Sequence, residues 1–219
     1  MMNSNTLYQK MPVATGIDMA YADCGEGAPV VLLHGFTGTG LTHFHDLIKA
    51  LSASYRVIAP DLRGYGRSQP PLRDFAPYFY QRDADDVAAL IDALGVGPAH
   101  VLGFSDGAES ALLLAATRPD LVRSVIAWGV SGVMSKAMVE SVEGWLTPND
   151  WTATHPDWAA EIAAEHGPDQ VEAMPQGWAR AARAIYAAGG NICMVEAANI
   201  QCPVLLVNGA GEVNNTPQD

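Results

Sequence analysis

Cysteine is scarce: Cys24, Cys193 and Cys202 are the only three in 219 residues. Their odd number and wide spacing fit neither a metal knuckle nor a redox pair, so the thiols are expected to be reduced and partly buried. Positive charge is scarce as well, with 12 Lys plus Arg against 24 Asp plus Glu and a net charge of −12. Nucleic acid needs a clustered basic surface, so this balance argues against nucleic-acid partners and against docking on anionic lipid. No apolar run is long enough to span a bilayer, and the opening "MMNSNTLYQKMPVATG" lacks the apolar core of a signal peptide. The chain therefore reads as a soluble, cytoplasmic protein. The glycine-rich turn "HGFTGTG" (His34 to Gly40) is not followed by G-K-S/T, which argues against a phosphate cradle. Nothing calls for a cofactor or a metal.

What is present is globular: 49% hydrophobic and 16% charged residues. Short apolar runs alternate with helical patterns, the sign of a parallel sheet with crossover helices. "APVVLLHG" (Ala28 to Gly35) suits a buried central strand, and a helix is expected from Thr42 to Leu51. "YRVIAPD" (Tyr55 to Asp61) is a second strand. Val87, Leu90, Ile91 and Leu94 recur at helical spacing behind the acidic "DADD". "AHVLGFS", "VRSVIAWG" and "CPVLLVNG" complete five expected strands, and the helix "DGAESALLLAAT" starts directly after Ser105. From about residue 131 to 200 the texture changes: Trp145, Trp151, Trp158 and Trp178 are scattered among Ala-rich helical pieces and Pro/Gly breaks. We expect residues 1–130 and 201–219 to form the core and 131–200 a helical cap inserted between two strands. Its tryptophans are expected mainly to pack against the core, some also lining a pocket.

The chemistry points to Gly103-Phe104-Ser105-Asp106-Gly107, where a buried strand turns sharply into a helix. The pattern G-x-S-x-G is weak by itself, but in this context the glycines let strand and helix approach while the turn lifts the serine hydroxyl above the sheet. Helix-start amides beside it favour developing negative charge. The competing reading of Ser105 is a simple helix cap. "HGFTGTG" supplies the second element: Phe36 N–H and Asp106 N–H are the candidate oxyanion donors, with Gly35 and Phe104 beside them as candidate pocket residues. "DLRGYGRS" (Asp61 to Ser68), a turn-forming stretch rich in charge, reads as structural.

These motifs in this order resemble the α/β-hydrolase superfamily. "GYGRSQPPLRDFAPYFYQRDADD", "LGFSDG", "VIAWG" and "GNIC…IQCPVLLVNG" resemble more specifically its valacyclovir hydrolase, or biphenyl hydrolase-like, branch, from about residue 17 to 209. The resemblance implies a mostly parallel sheet with helices on both faces and a helical cap. It also implies a serine esterase acting on small carboxylic esters, including α-amino-acid esters, through an acyl-enzyme on Ser105. Asp106 would then pair with the α-amino group of the substrate, or else serve only as a helix-start charge.

Two departures stand out. The family's acid after the strand matching "PVLLVNG" is usually G-x-x-D, whereas this chain has Gly209-Ala210-Gly211-Glu212, which makes Glu212 the candidate and leaves the more distant Asp219 aside. The family's further strand, histidine loop and closing helix find no match in "GEVNNTPQD", so the fold is expected to lack its last strand and helix and the proton acceptor to be absent from this polypeptide. The strand at Val204 to Val207 would then expose an apolar edge that favours self-association. Two alternatives remain open: a carbon–carbon bond hydrolase of ring-fission products, and a pseudo-hydrolase that binds a small ligand.

Overall fold

The computed structural model describes residues 8–70, 72–147 and 150–211. Seven strands make one sheet: β1 (Tyr8–Pro12), β2 (Asp18–Cys24), β3 (Ala28–Leu33), β4 (Tyr55–Pro60), β5 (Ala99–Phe104), β6 (Val122–Trp128) and β7 (Val204–Val207). Their spatial order is β1-β2-β4-β3-β5-β6-β7. β1 and β2 pair antiparallel and β2 runs antiparallel to β4, while β3 to β7 are parallel throughout. The five expected strands are present. β1 and β2 were not anticipated: β1 is largely exposed and β2, "DMAYADC", is too Ala- and Asp-rich to show strand propensity.

Helices cover both faces, and the period of two along the strands divides the core between them. On one face Val30, Leu32, Val57 and Ala59 pack with Phe44 and Ile48 of α1 (Gly40–Leu51). On the other, Val31, Leu33, Ile58 and Val101 pack with α2 (Phe79–Leu94) and α3 (Asp106–Thr117) through Val87, Leu90, Ile91 and Leu113. α1 begins at Gly40 rather than Thr42 because Thr39 and Thr42 form a reciprocal capping box. α2 begins well ahead of Val87, since Phe79 and Tyr80 are themselves buried, and it stops at the left-handed Gly95.

Between β6 and β7 lie α4 (Lys136–Ser141), α5 (Asp150–Thr154), α6 (Pro156–His166) and α7 (Gln170–Ala187). Trp151 is fully buried among them, and α7 buries Trp178, Ala181 and Ile185. β7 pairs with β6, and its four side chains are exposed. No helix among the described residues is long and apolar enough to cross a membrane.

Candidate active site

Ser105 sits between β5 and α3 with φ of 54° and ψ of −122°, a left-handed conformation that is costly for a residue with a side chain. The flanking glycines make the bend possible. A methyl group on Gly107 would lie 2.1 Å from the Leu33 carbonyl oxygen, and one on Gly103 would lie 2.2 Å from the Gly107 carbonyl oxygen. Strand and helix thus meet backbone to backbone, and Ser105 is left half-buried at the floor of a cavity of about 690 Å³.

The loop after β3 lies directly against this bend: a methyl group on Gly35 would come within 2.9 Å of Ser105 Cβ. Three histidines hold the loop. His34 Nδ1–H donates to the Gly35 carbonyl at 2.9 Å and its Nε2 accepts the Leu62 N–H at 2.9 Å. His43 Nδ1 accepts the Gly35 N–H at 3.2 Å. His166, from α6, donates through Nε2 to the Thr37 carbonyl at 2.6 Å and accepts the Gly66 N–H at 2.9 Å. Each of the three rings accepts one backbone N–H, which requires a neutral ring, and burial supplies that neutrality. It drives His34 well below the ordinary histidine range, lowers His43 to about 4 and lowers His166 as well. Thr37, at φ of 71°, is kept in its left-handed conformation by this bracing. Phe36 N–H and Asp106 N–H have no hydrogen-bond acceptor among the described residues.

The Asp106 carboxylate is buried beside the serine. Tyr80 O–H donates to its Oδ1 at 2.9 Å, and Trp178 Nε1–H donates to Oδ2 at 3.0 Å, so α2 and α7 converge on it. Burial pushes this carboxyl up to about 6, although Tyr80, Arg73 and Trp178 oppose the rise. Behind it, Arg73 and Asp83 form a bidentate pair at 2.6 and 2.5 Å with both side chains out of solvent.

The sequence profile described as "alpha/beta hydrolase fold" matches residues 28–195. The chain belongs to the α/β-hydrolase family. Among its relatives is human "Serine hydrolase BPHL", 34% identical over 197 residues that span 89% of this chain and 67% of that protein. The "2-hydroxymuconate semialdehyde hydrolase" of Pseudomonas sp. CF600 is 36% identical over 126 residues, 55% of this chain and 43% of its own. A hydrolase of Pseudomonas aeruginosa PA01 shares the fold, with a TM-score of 0.72 at 23% identity over 96% of this chain and 83% of that one. The chain is accordingly a hydrolase with this family's fold.

In this α/β hydrolase, Phe36, Phe104, Ser105 and Asp106 line one cavity, and Gly35 abuts the serine from behind. Glu212, and Asp219 beyond it, lie outside the described residues. Among the described residues no histidine ring hydrogen-bonds to the Ser105 hydroxyl, and His34 and His166 have both ring nitrogens engaged elsewhere. Asp61, in "DLRGYGRS", accepts from Tyr8 O–H, Gly40 N–H and Arg67 N–H, tying three loops together below the site. Two further residues escaped sequence reasoning, Tyr80 on Asp106 and Glu161 on the cavity wall. Trp178, one of the tryptophans of which some were expected to line a pocket, does so and donates to Asp106, and His43 of the expected first helix joins the wall. For Tyr80 a signal existed, since it falls inside the distinctive stretch "FAPYFYQRDADD". For Glu161 there was none beyond its place in a helical segment.

Proposed function

We propose that this hydrolase cleaves small carboxylic esters, those of α-amino acids above all, through an acyl-enzyme on Ser105. The serine oxygen attacks the ester carbonyl and its proton passes to a base. The tetrahedral oxyanion is held by Phe36 N–H and Asp106 N–H, and the alcohol departs with a proton. Water then attacks the acyl-enzyme and releases the acid. The Asp106 carboxylate receives the substrate ammonium, residues 131–200 act as a cap over the pocket, and Glu212 is the proposed acid that orients the base.

The observation that carries this reading is the strained Ser105 at the cavity floor, next to two backbone N–H groups without acceptors. A carboxylate raised to about 6 in a dry pocket also gains from an arriving ammonium, whose charge offsets the cost of burial. The carbon–carbon reading draws on the semialdehyde hydrolase relative. However, among the described residues the cavity wall carries Asp106 and Glu161 and no Lys or Arg, a poor match for acidic ring-fission products.

Reaction with a fluorophosphonate, followed by mass spectrometry, is expected to give one adduct on Ser105 and none in Ser105→Ala. Modification elsewhere, or equal p-nitrophenyl ester turnover by both proteins, refutes the nucleophile. Asp106→Ala should lose activity selectively on aminoacyl over plain acyl esters. Equal loss on both removes the amino-acid preference.

A further inference from the structure

The cavity above Ser105 holds a second carboxylate whose surroundings differ from those of Asp106. Glu161 lies on α6, and its side chain keeps 30% of its exposure. Oε2 accepts only the Thr37 hydroxyl, at 3.3 Å. Oε1 lies 3.9 Å from His43 Nε2, beyond hydrogen-bond reach. That imidazole is no counter-ion: its Nδ1 is taken by the Gly35 N–H and burial keeps it at about 4, so it is uncharged at neutral pH. The neighbouring charge on the same helix is Glu165, of like sign, which together with burial raises the Glu161 carboxyl.

Asp106 accepts from Tyr80 and Trp178 and keeps lone pairs for an ammonium, whereas Glu161 faces the same cavity without a cation among the described residues. Phe36, Phe104, Trp145 and Trp158 also line this cavity. A carboxylate partly removed from water in an aromatic-lined cavity favours an ammonium or guanidinium over a neutral group.

We propose that Glu161 recognises a second positive charge on the ligand, so that the pocket selects dicationic esters with one ammonium at Asp106 and another cationic group at Glu161. The second charge sits either on a basic side chain of the acyl part or on an aminoalkyl alcohol. The ester linkage and the ammonium at Asp106 rest on the function proposed above; the recognition of a positive charge at Glu161 does not.

Non-cleavable amides separate the two, with binding read from quenching of the pocket tryptophans. Lysinamide against norleucinamide probes the acyl side. Norleucine N-(2-aminoethyl)amide against its N-propylamide probes the alcohol side. One dication is expected to bind roughly tenfold more tightly than its monocationic match, with the advantage shrinking as salt is added. Glu161→Gln keeps the size and can still accept from Thr37. It should abolish that advantage, lowering dication affinity far more than monocation affinity. Equal affinities in the wild type, no measurable dication binding, or a preference that survives Glu161→Gln each overturn the proposal. A Ser105 that fails to react with fluorophosphonate while the preference holds would remove the ester chemistry alone.

Discussion

Asp106→Asn is the perturbation that separates stability from function most sharply. The Asp106 carboxyl rises from the ordinary 3.8 to about 6 because it is buried. The folded state therefore holds this proton more tightly than the unfolded chain does. Stability from this group is fully present below 3.8 and is lost as pH rises through 6. The gap between the two values corresponds to roughly 3 kcal/mol, an upper bound on the cost of keeping the ionised carboxylate buried. About half of it, roughly 1.5 kcal/mol, develops between pH 5 and pH 8. Asparagine keeps one acceptor oxygen for Tyr80, which Trp178 Nε1–H also reaches at 3.2 Å, and has no charge to bury; the loss of the second acceptor is a pH-independent offset. Urea unfolding of both proteins across that range should therefore show the stability of Asp106→Asn relative to wild type growing with pH. His34, His43 and His166, held neutral by burial, act in the opposite direction by losing stability as pH falls. They act equally on both proteins and cancel in the difference. A difference that is flat with pH, or that shrinks as pH rises, refutes the reasoning.

Three other outcomes follow from the geometry. Asp83→Ala strands the buried Arg73 guanidinium, and the urea midpoint should report a loss of about 3–5 kcal/mol; a loss below about 1 kcal/mol would mean that water or a neighbour takes over the charge. Gly107→Ala places a methyl group 2.1 Å from the Leu33 carbonyl oxygen, so the elbow must shift. It should lower stability by at least about 1–3 kcal/mol and slow fluorophosphonate labelling of Ser105, and labelling at wild-type speed would contradict the backbone contact. His166→Ala leaves the Thr37 carbonyl and the Gly66 N–H without their partner, at a cost of about 1–3 kcal/mol in thermal or urea unfolding. Ser105 labelling should slow more than tenfold, with part of the rate restored by His166→Gln; unchanged labelling in His166→Ala would show that the loop does not need this brace.

The chain order of strands and helices was legible because its signals are local. Apolar, β-branched runs such as "PVVLL", stopped by glycine, suit strands buried on both faces, and the helix after Ser105 is dense in good helix formers. Val31 and Val30 belong to opposite faces for no reason beyond the alternation along β3. The elbow was legible too, since glycine at 103 and 107 is what close backbone approach demands. β1 was missed because an edge strand that is mostly solvated carries little periodicity, while the acidic "DADD" does fall in the N-terminal half of α2, whose first turn, at Phe79 and Tyr80, precedes the clear helical stripe.

Sequence alone thus determined the order of the five parallel strands and the serine at the turn, which follow from propensity and spacing within a few residues, and the resemblance of its motifs pointed to the family. Tertiary structure decided what surrounds that serine. Tyr80 and Trp178 come from separate helices to meet on Asp106, and His166 reaches from α6 to the Thr37 carbonyl. Glu161 faces an uncharged His43 across the cavity. Such contacts depend on how distant segments pack and on how deeply each group is withdrawn from water. Burial, a property of the whole fold, sets the charge of the three histidines and of Asp106, and with it the chemistry of the pocket.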